Sequence, residues 1–303
     1  MGSPPDSLRD SLRDSLRDSL GDSLSDSLRD WIGRTESQVD QVTIPAVHRL
    51  AATLDRSDPM PRSGEPLPPG WYSILFPRVV PQSEIGLDGH PKRGDFLPPV
   101  PLPRRMFAGQ RTAFHAELRI GDDVRKESTI TSVTAKEGRQ GLMVFVTVRS
   151  AISGPRGIAI TEEQDIVYRG DPDPKSPPAQ PQPVPGNPVW SKSITPDEVM
   201  LFRYSALTFN GHRIHYDHRY VTGVEGYPAL VMNGGLTTLF LFELARAHVK
   251  GSIVQMNSRN VRPLFTNQPI ALCGEPGADG GTAKFWAMNP AGALAVSAEV
   301  RSS

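Results

Sequence analysis

The chain predicts an α+β fold made of two tandem units, each with helical material followed by antiparallel strands. Three observations carry this. Alternating apolar and polar residues mark strands at 124–135, 141–152 and 158–168. A stiff Pro-rich stretch follows at 171–189. Beyond it the order of helix and then strands returns, with helices over 196–207 and 229–249 and strands near 191–194, 252–262, 268–275, 282–288 and 293–301. Such a repeat suggests a duplicated unit with the linker joining its copies.

Along the chain, residues 6–29 repeat Asp-Ser-Leu-X six times. Their leucines, four apart, drift by about 40° per step on a helix and form no single stripe. Ser and Asp lower helix propensity as well, so residues 1–27 read as a low-complexity tail, with a partner-binding helix as the sharper alternative. Folded structure is expected from Leu28 onward. Val47, Leu50, Ala51 and Leu54 suggest a helix over 44–54. Residues 58–70 and 91–103 are Pro-rich loops, and Trp71–Phe76 and Arg111–Leu118 look like strands. Thr195-Pro196-Asp197-Glu198 is a helix start, with proline in its first turn.

The 303 residues carry 33 basic and 33 acidic side chains, so no basic excess exists to neutralise phosphates, and nucleic-acid binding is not expected. One cysteine, Cys273, excludes an intrachain disulfide and a Cys-cluster metal site. No apolar run is long enough to span a membrane and no secretory h-region follows the start. The regular acids of the N-terminal repeat argue against a transit peptide. A cytoplasmic protein is the expectation. No P-loop or Gly-x-Gly-x-x-Gly is present, so nucleotide-dependent chemistry has no support.

The segment Asn210-Gly-His212-Arg213-Ile-His215-Tyr-Asp217 gathers a carboxamide, two imidazoles, a guanidinium and a carboxylate into eight positions. His215 can act as general base or acid near neutral pH, although a lone histidine is more often structural. Asn210 can orient a water or a substrate oxygen, or hold its own loop. Asp217 can orient the imidazole or cap a turn, and the structural role is favoured. His212 and Arg213 are either solvated loop residues or positive charge for an anionic substrate group. Residues 218–227 read as a loop. The His–Asp spacing also suits a metal pair, but no third ligand is evident nearby and no metal is expected. About 20 residues on, Gly234-Gly235 opens an apolar helix, whose unpaired N–H groups can stabilise an enolate; alternatively, the glycines only permit close packing.

These residues resemble the MaoC-like hydratase/dehydratase family of hot-dog folds, in which a curved antiparallel sheet wraps a central helix. After Ala206-Leu207, the catalytic histidine of that family falls on His215, its aspartate on Asn210 and its asparagine on His212. Its His-Gly pair at the helix start falls on Asn233-Gly234, with the Gly234 N–H as oxyanion donor. The asparagine at 210 departs from the family pattern: either His215 makes both proton transfers or another group joins it. Trp31–Glu36, Phe202–Asn210 and Arg259–Phe265 look like one subgroup, the double hot-dog hydratases of mesaconyl-C4-CoA and itaconyl-CoA type, related to the hydroxyacyl-thioester dehydratases type 2. The resemblance implies a double hot-dog, with a non-catalytic unit at 28–170 and a catalytic one at 190–303. It also implies reversible hydration of a short branched dicarboxylic 2-enoyl-CoA, with catalysis by His215, Asn210 and Gly234. Arg213, His212, Arg203 and Arg262 become candidates for holding the free carboxylate, with Gly235 beside the oxyanion site. An acyl-CoA is then substrate and no cofactor is needed. A homodimer is conceivable. The alternatives are a 3-hydroxyacyl dehydratase working on acyl carrier protein, and a non-catalytic acyl-thioester binding protein.

Overall fold

A computed structural model describes residue 24 and residues 26–138, 141–171 and 180–303. Most of the repeat tail and the middle of the Pro-rich linker lie outside the described residues. The end of the repeat is anchored: Leu28 is buried against Phe96, Val100, Ile130 and Tyr168. At its other end the linker docks on the second unit, where Val189 N–H donates to the Gly274 carbonyl at 2.9 Å.

The first unit comprises β1 (Thr35–Gln41), α1 (Ile44–Thr53), β2 (Arg104–Phe114), β3 (Asp123–Gly138), β4 (Gly141–Gly154) and β5 (Gly157–Arg169). The second comprises β6 (Trp190–Ile194), α2 (Glu198–Leu207), α3 (His218–Gly223), α4 (Gly234–His248), β7 (Ile253–Asn260), β8 (Ile270–Pro276), β9 (Thr282–Met288) and β10 (Leu294–Ser302). All ten strands form one sheet in the order β1-β3-β4-β5-β2-β7-β10-β9-β8-β6. Read outward from the centre, each half has the same order: β2, β5, β4, β3, β1 and β7, β10, β9, β8, β6. This is the duplication that the repeated element order predicts, with the copies joined edge to edge through β2 and β7.

That joint runs antiparallel from Gly109↔Arg259 to Ala113↔Gln255. A Cβ on Gly109 would lie 2.3 Å from the Ser258 carbonyl oxygen, so the pairing needs a residue without a side chain there. Inner-face residues alternate along β4, where Val144, Val146, Val148 and Ile152 are buried. The helix α4 is buried nearly all round, as an apolar helix without a polar face must be, and packs on β8, β9 and β10. Its counterpart α1 is shorter, buries Val47, Leu50 and Ala51, and is capped by Thr43, whose hydroxyl accepts from Ala46 N–H at 3.4 Å. One apolar core runs through both units, from Leu50 and Trp71 to Leu239 and Phe285. No helix among the described residues is long and apolar enough to cross a membrane.

Several sequence expectations need correction. Trp71–Phe76 is not a strand but begins as a 3-10 turn over Trp71–Ile74. Gly70 takes a left-handed conformation at φ +88 and abuts the Phe242 ring, turning the chain over α4. The run is apolar because it covers the core, not because it pairs. Strand β2 begins at Arg104, earlier than the expected 111, and β1 was not anticipated, its mostly polar sequence being that of an exposed edge. Residues 218–223, expected in a loop, form α3.

Gly109→Ala is expected to destabilise the chain by about 1–3 kcal/mol, through the forced shift of the β2–β7 joint. The exposed Val199→Ala should stay within about 0.5 kcal/mol. Urea denaturation of the two variants would measure this.

Candidate active site

The path to the site starts with α2. Asp197 caps it, accepting from Met200 N–H at 2.7 Å. At its C-terminus Phe209 takes the left-handed conformation, φ +51, usually left to glycine. Asn210 N–H then bonds back to the Ser205 carbonyl at 2.8 Å, ending the helix. The Asn210 Oδ1 accepts from His212 N–H at 3.0 Å, so the loop-holding role of Asn210 is realised, and its NH2 group is left for other work.

A 3-10 turn over Arg213–His215 follows. Asp217 caps α3, accepting from Tyr220 N–H at 3.0 Å, and its other oxygen accepts from Arg213 Nε at 3.0 Å and Nη2 at 2.7 Å. The Arg213 guanidinium also donates to the Leu87 carbonyl at 3.0 Å and lies 4.2 Å over the Tyr220 ring. Asp217 thus caps α3 and holds Arg213, and Arg213 is engaged in holding the loop.

His215 is only 7% exposed. Its Nδ1 lies 2.6 Å from the Val231 carbonyl oxygen. A carbonyl can only accept, so Nδ1 carries the hydrogen and Nε2 presents its lone pair. Burial pulls the imidazole down to about 4, although the Val231 bond works in the opposite direction. At neutral pH His215 is thus a neutral base with a fixed tautomer. The Val231 N–H closes the loop by donating to Ile214 O at 3.0 Å.

Three residues after Val231, α4 begins. Its first-turn N–H groups have no acceptor within the helix. A Cβ on Gly234 would stand 3.1 Å from Asn260 Nδ2 and 3.2 Å from the Phe107 ring, and one on Gly235 would stand 2.9 Å from the Tyr204 hydroxyl. The packing role of both glycines is therefore real, and it leaves the helix start bare. Asn233, just before it, is 3% exposed, and neither polar atom of its amide has a hydrogen-bond partner in the protein.

Two further residues come from the other half of the molecule. Gly89, at φ +86, abuts the Gly211 carbonyl, and a Cβ there would lie 1.9 Å from that oxygen. Arg213 N–H donates to the Asp88 carbonyl at 2.9 Å. This interlock brings the His90 ring to 3.9 Å from His212, whose ring stands edge-on to His215 at 5.3 Å. Asp88 Oδ2 is 3.0 Å from His90 Nδ1, and its Oδ1 accepts from His90 N–H at 3.0 Å. Burial alone would raise the Asp88 carboxyl, but the bonds from His90 hold it well below the usual carboxylate range. Burial lowers both His90 and His212. The ligand atoms of Asp88, His90 and His212 all lie within 4.8 Å of one another, a spacing open to a divalent cation that the local 210–217 pattern did not suggest. The Asp88–His90 bonds already give the cluster a second use, as an oriented pair of imidazoles tilted by 40° to each other.

Two candidates remain. Arg203 is exposed and lines a groove with Asp40, Arg49 and Phe202 that includes none of residues 208–236. Arg262 reaches the Gln180 carbonyl of the linker at 3.5 Å. So the structure gathers Asn210, His212, Arg213, His215, Gly234 and Gly235, and leaves Arg203 outside. Asp88 and His90 could have been suspected from the Asp-Gly-His triplet, but nothing in the sequence pairs that triplet with residue 212.

The family model for hydroxyacyl-thioester dehydratase type 2 matches residues 70–266. The chain is 45% identical over 273 residues to the mesaconyl-C(4)-CoA hydratase of Chloroflexus aurantiacus, covering 89% of this chain and 96% of the relative. A mitochondrial hydroxyacyl-thioester dehydratase type 2 of Schizosaccharomyces pombe is 26% identical over 241 residues, 68% of this chain and 77% of that one. Among solved structures, the MaoC-like dehydratase of Phytophthora capsici superposes with a TM-score of 0.64 at 14% identity, over 89% of this chain and 96% of that one. A Mycobacterium tuberculosis protein described as a double hot-dog fold gives 0.53 at 12% identity, over 89% and 96%. The double hot-dog architecture follows from these and from the duplicated sheet.

The buried imidazoles predict acid sensitivity. Unfolded histidine binds its proton near 6.5, whereas folded His215 does so at about 4. Between those values the unfolded chain holds more protons, so stability present above 6.5 is lost as pH falls toward 4. The loss from His215 is on the order of 3 kcal/mol. Urea denaturation at pH 7.5, 6 and 4.5 should show this fall, and His215→Asn should flatten it.

Proposed function

We propose that this chain, which belongs to the hydroxyacyl-thioester dehydratase type 2 family, adds water reversibly across the double bond of a short 2-enoyl-CoA thioester. The favoured substrate is a branched dicarboxylic ester of the mesaconyl-C4-CoA type, hydrated to citramalyl-CoA. The observation that carries the reading is His215: a buried neutral imidazole whose Nδ1 is held by the carbonyl of Val231, three residues before the start of α4, so that Nε2 presents its lone pair. The 45% identity to a relative named for mesaconyl-C4-CoA hydration, over nearly the whole of both chains, supports the substrate class.

In this reaction the thioester carbonyl accepts from the Gly234 N–H at the positive end of α4. That draws electrons from the double bond and leaves Cβ open to attack. A water held by His215 Nε2 and the Asn210 amide attacks Cβ while His215 takes its proton. The π electrons move to the thioester oxygen, giving an enolate. Cα then recovers the proton from the imidazolium, and one water has been added with every proton accounted for. An imidazolium that loses its proton at about 4 is a ready donor at neutrality. One histidine can therefore serve both transfers despite Asn210 standing at the family's acid position. The Asp88–His90 pair holds His212 in place beside it. The Asn233 amide, buried and unpartnered, is a further group for the thioester or the water. The chemistry needs no cofactor; CoA arrives as part of the substrate.

The test follows the enoyl-thioester absorbance with crotonyl-, mesaconyl-C4- and itaconyl-CoA. Loss of the band on a dicarboxylic ester is expected. His215→Ala should lower kcat by about 10²–10⁴-fold. The acid limb of kcat/KM should fall near pH 4 and not near 6.5. Silence on every ester would sink the reading.

A further inference from the structure

If the substrate carries a free carboxylate, a cation must receive it, and those nearest His215 in sequence are engaged: Arg213 holds Asp217 and the Leu87 carbonyl. The other half of the molecule offers a different one. Arg105 lies on β2 opposite Tyr168 of β5. Directly opposed residues share a sheet face, and Tyr168 is fully buried in the inner core, so Arg105 faces inward. Phe107, two residues on, shares that face, and its ring is the neighbour that a Cβ on Gly234 would meet at 3.2 Å. Strand β2 thus carries Arg105 to the side of the sheet where α4 begins.

The surroundings of Arg105 fit an incoming anion. Its charge acts on Asp88, His90 and His212. The adjoining cations are committed: Arg104 pairs with Asp171 and Glu225, and Arg93 donates to the carbonyls of Val100, Leu102 and Pro103. Arg105 has the Tyr168 hydroxyl beside it and feels Asp88 only at longer range. Among the described residues no carboxylate lies within ion-pair distance of its guanidinium. Burial lowers the guanidinium, while Tyr168 and Asp88 work in the opposite direction. A planar guanidinium suits a carboxylate through two parallel hydrogen bonds.

We propose that Arg105, supplied by the N-terminal half, binds the free carboxylate of a dicarboxylic acyl thioester whose carbonyl sits at the Gly234 N–H. This rests on the hydratase reading and adds the residue that selects for the second carboxylate. The N-terminal unit then contributes specificity even though the histidine base lies in the other unit.

Binding of unreactive saturated esters tests the proposal apart from turnover. Methylsuccinyl-CoA with the thioester at C4 carries a carboxylate where isovaleryl-CoA carries a methyl group. Titration calorimetry of the full chain should find the carboxylate ester bound at least about tenfold more tightly. Arg105→Gln should erase that preference and change isovaleryl-CoA binding less than about threefold. Arg105→Lys should keep part of it, since a point charge lacks the bidentate fork. No preference in the wild type, a preference surviving in Arg105→Gln, or equal weakening of both esters would overturn the proposal. Binding preference without any turnover of enoyl esters would instead overturn the hydratase reading and leave the Arg105 carboxylate site standing.

Discussion

The hydrogen bond from His215 Nδ1 to the Val231 carbonyl, at 2.6 Å, is the contact on which the site depends. It sets the tautomer, so that Nε2 and not Nδ1 faces the chemistry. It also joins the 3-10 turn carrying His215 to the segment leading into α4, so the imidazole and the first N–H groups of the helix are placed by one short stretch of backbone. Burial does the rest by keeping the ring neutral. A histidine left in water would spend part of its time charged near neutral pH and rotate freely. Here sequence proximity, Ile214–Val231 pairing and desolvation act on the same side chain.

A second constraint is that the halves cannot be separated without dismantling the site. They share the β2–β7 joint and one core. The loop over residues 86–90 presses glycine to glycine against the 211 turn, and Asp88 holds Arg213 through a backbone bond. Both copies keep the same strand order, yet they have diverged in what fills the sheet. The C-terminal copy wraps a fifteen-residue buried helix. The N-terminal copy has a ten-residue helix and a long excursion between α1 and β2 that travels to its partner's site. The N-terminal unit therefore reaches the other unit's loop, with the His90 ring 3.9 Å from that of His212.

Much of this was legible in the sequence, for physical reasons. Strand β4 alternates cleanly because one face is buried and one is not, and α4 reads as buried because it has no polar side. The cluster Asn210, His215 and Gly234 was legible because its members lie within 25 positions and the family pattern falls on them. What escaped has the opposite character. The 3-10 turn at Trp71–Ile74 is apolar through tertiary contact with Phe242 and α4, a context that local pattern does not contain. Asp88, His90 and Arg105 lie more than 100 positions before His212, and only the interlocking of the two halves brings them near. The bonds of Arg213 to Asp217 and the Leu87 carbonyl are likewise invisible in its local pattern, which leaves a loop role and an anion-binding role equally open. Charge in a sequence says nothing about which partner has already taken it.

Everything above requires His215 to be neutral at pH 7 with its hydrogen on Nδ1. Nitrogen-15 imidazole spectra of the full chain, with His215 assigned by its Asn variant, test this most directly. An Nδ1–H ring at pH 7 that takes up a proton only at about pH 4 is the expected result. A ring that titrates near 6.5, or one carrying its hydrogen on Nε2 at neutral pH, would contradict it.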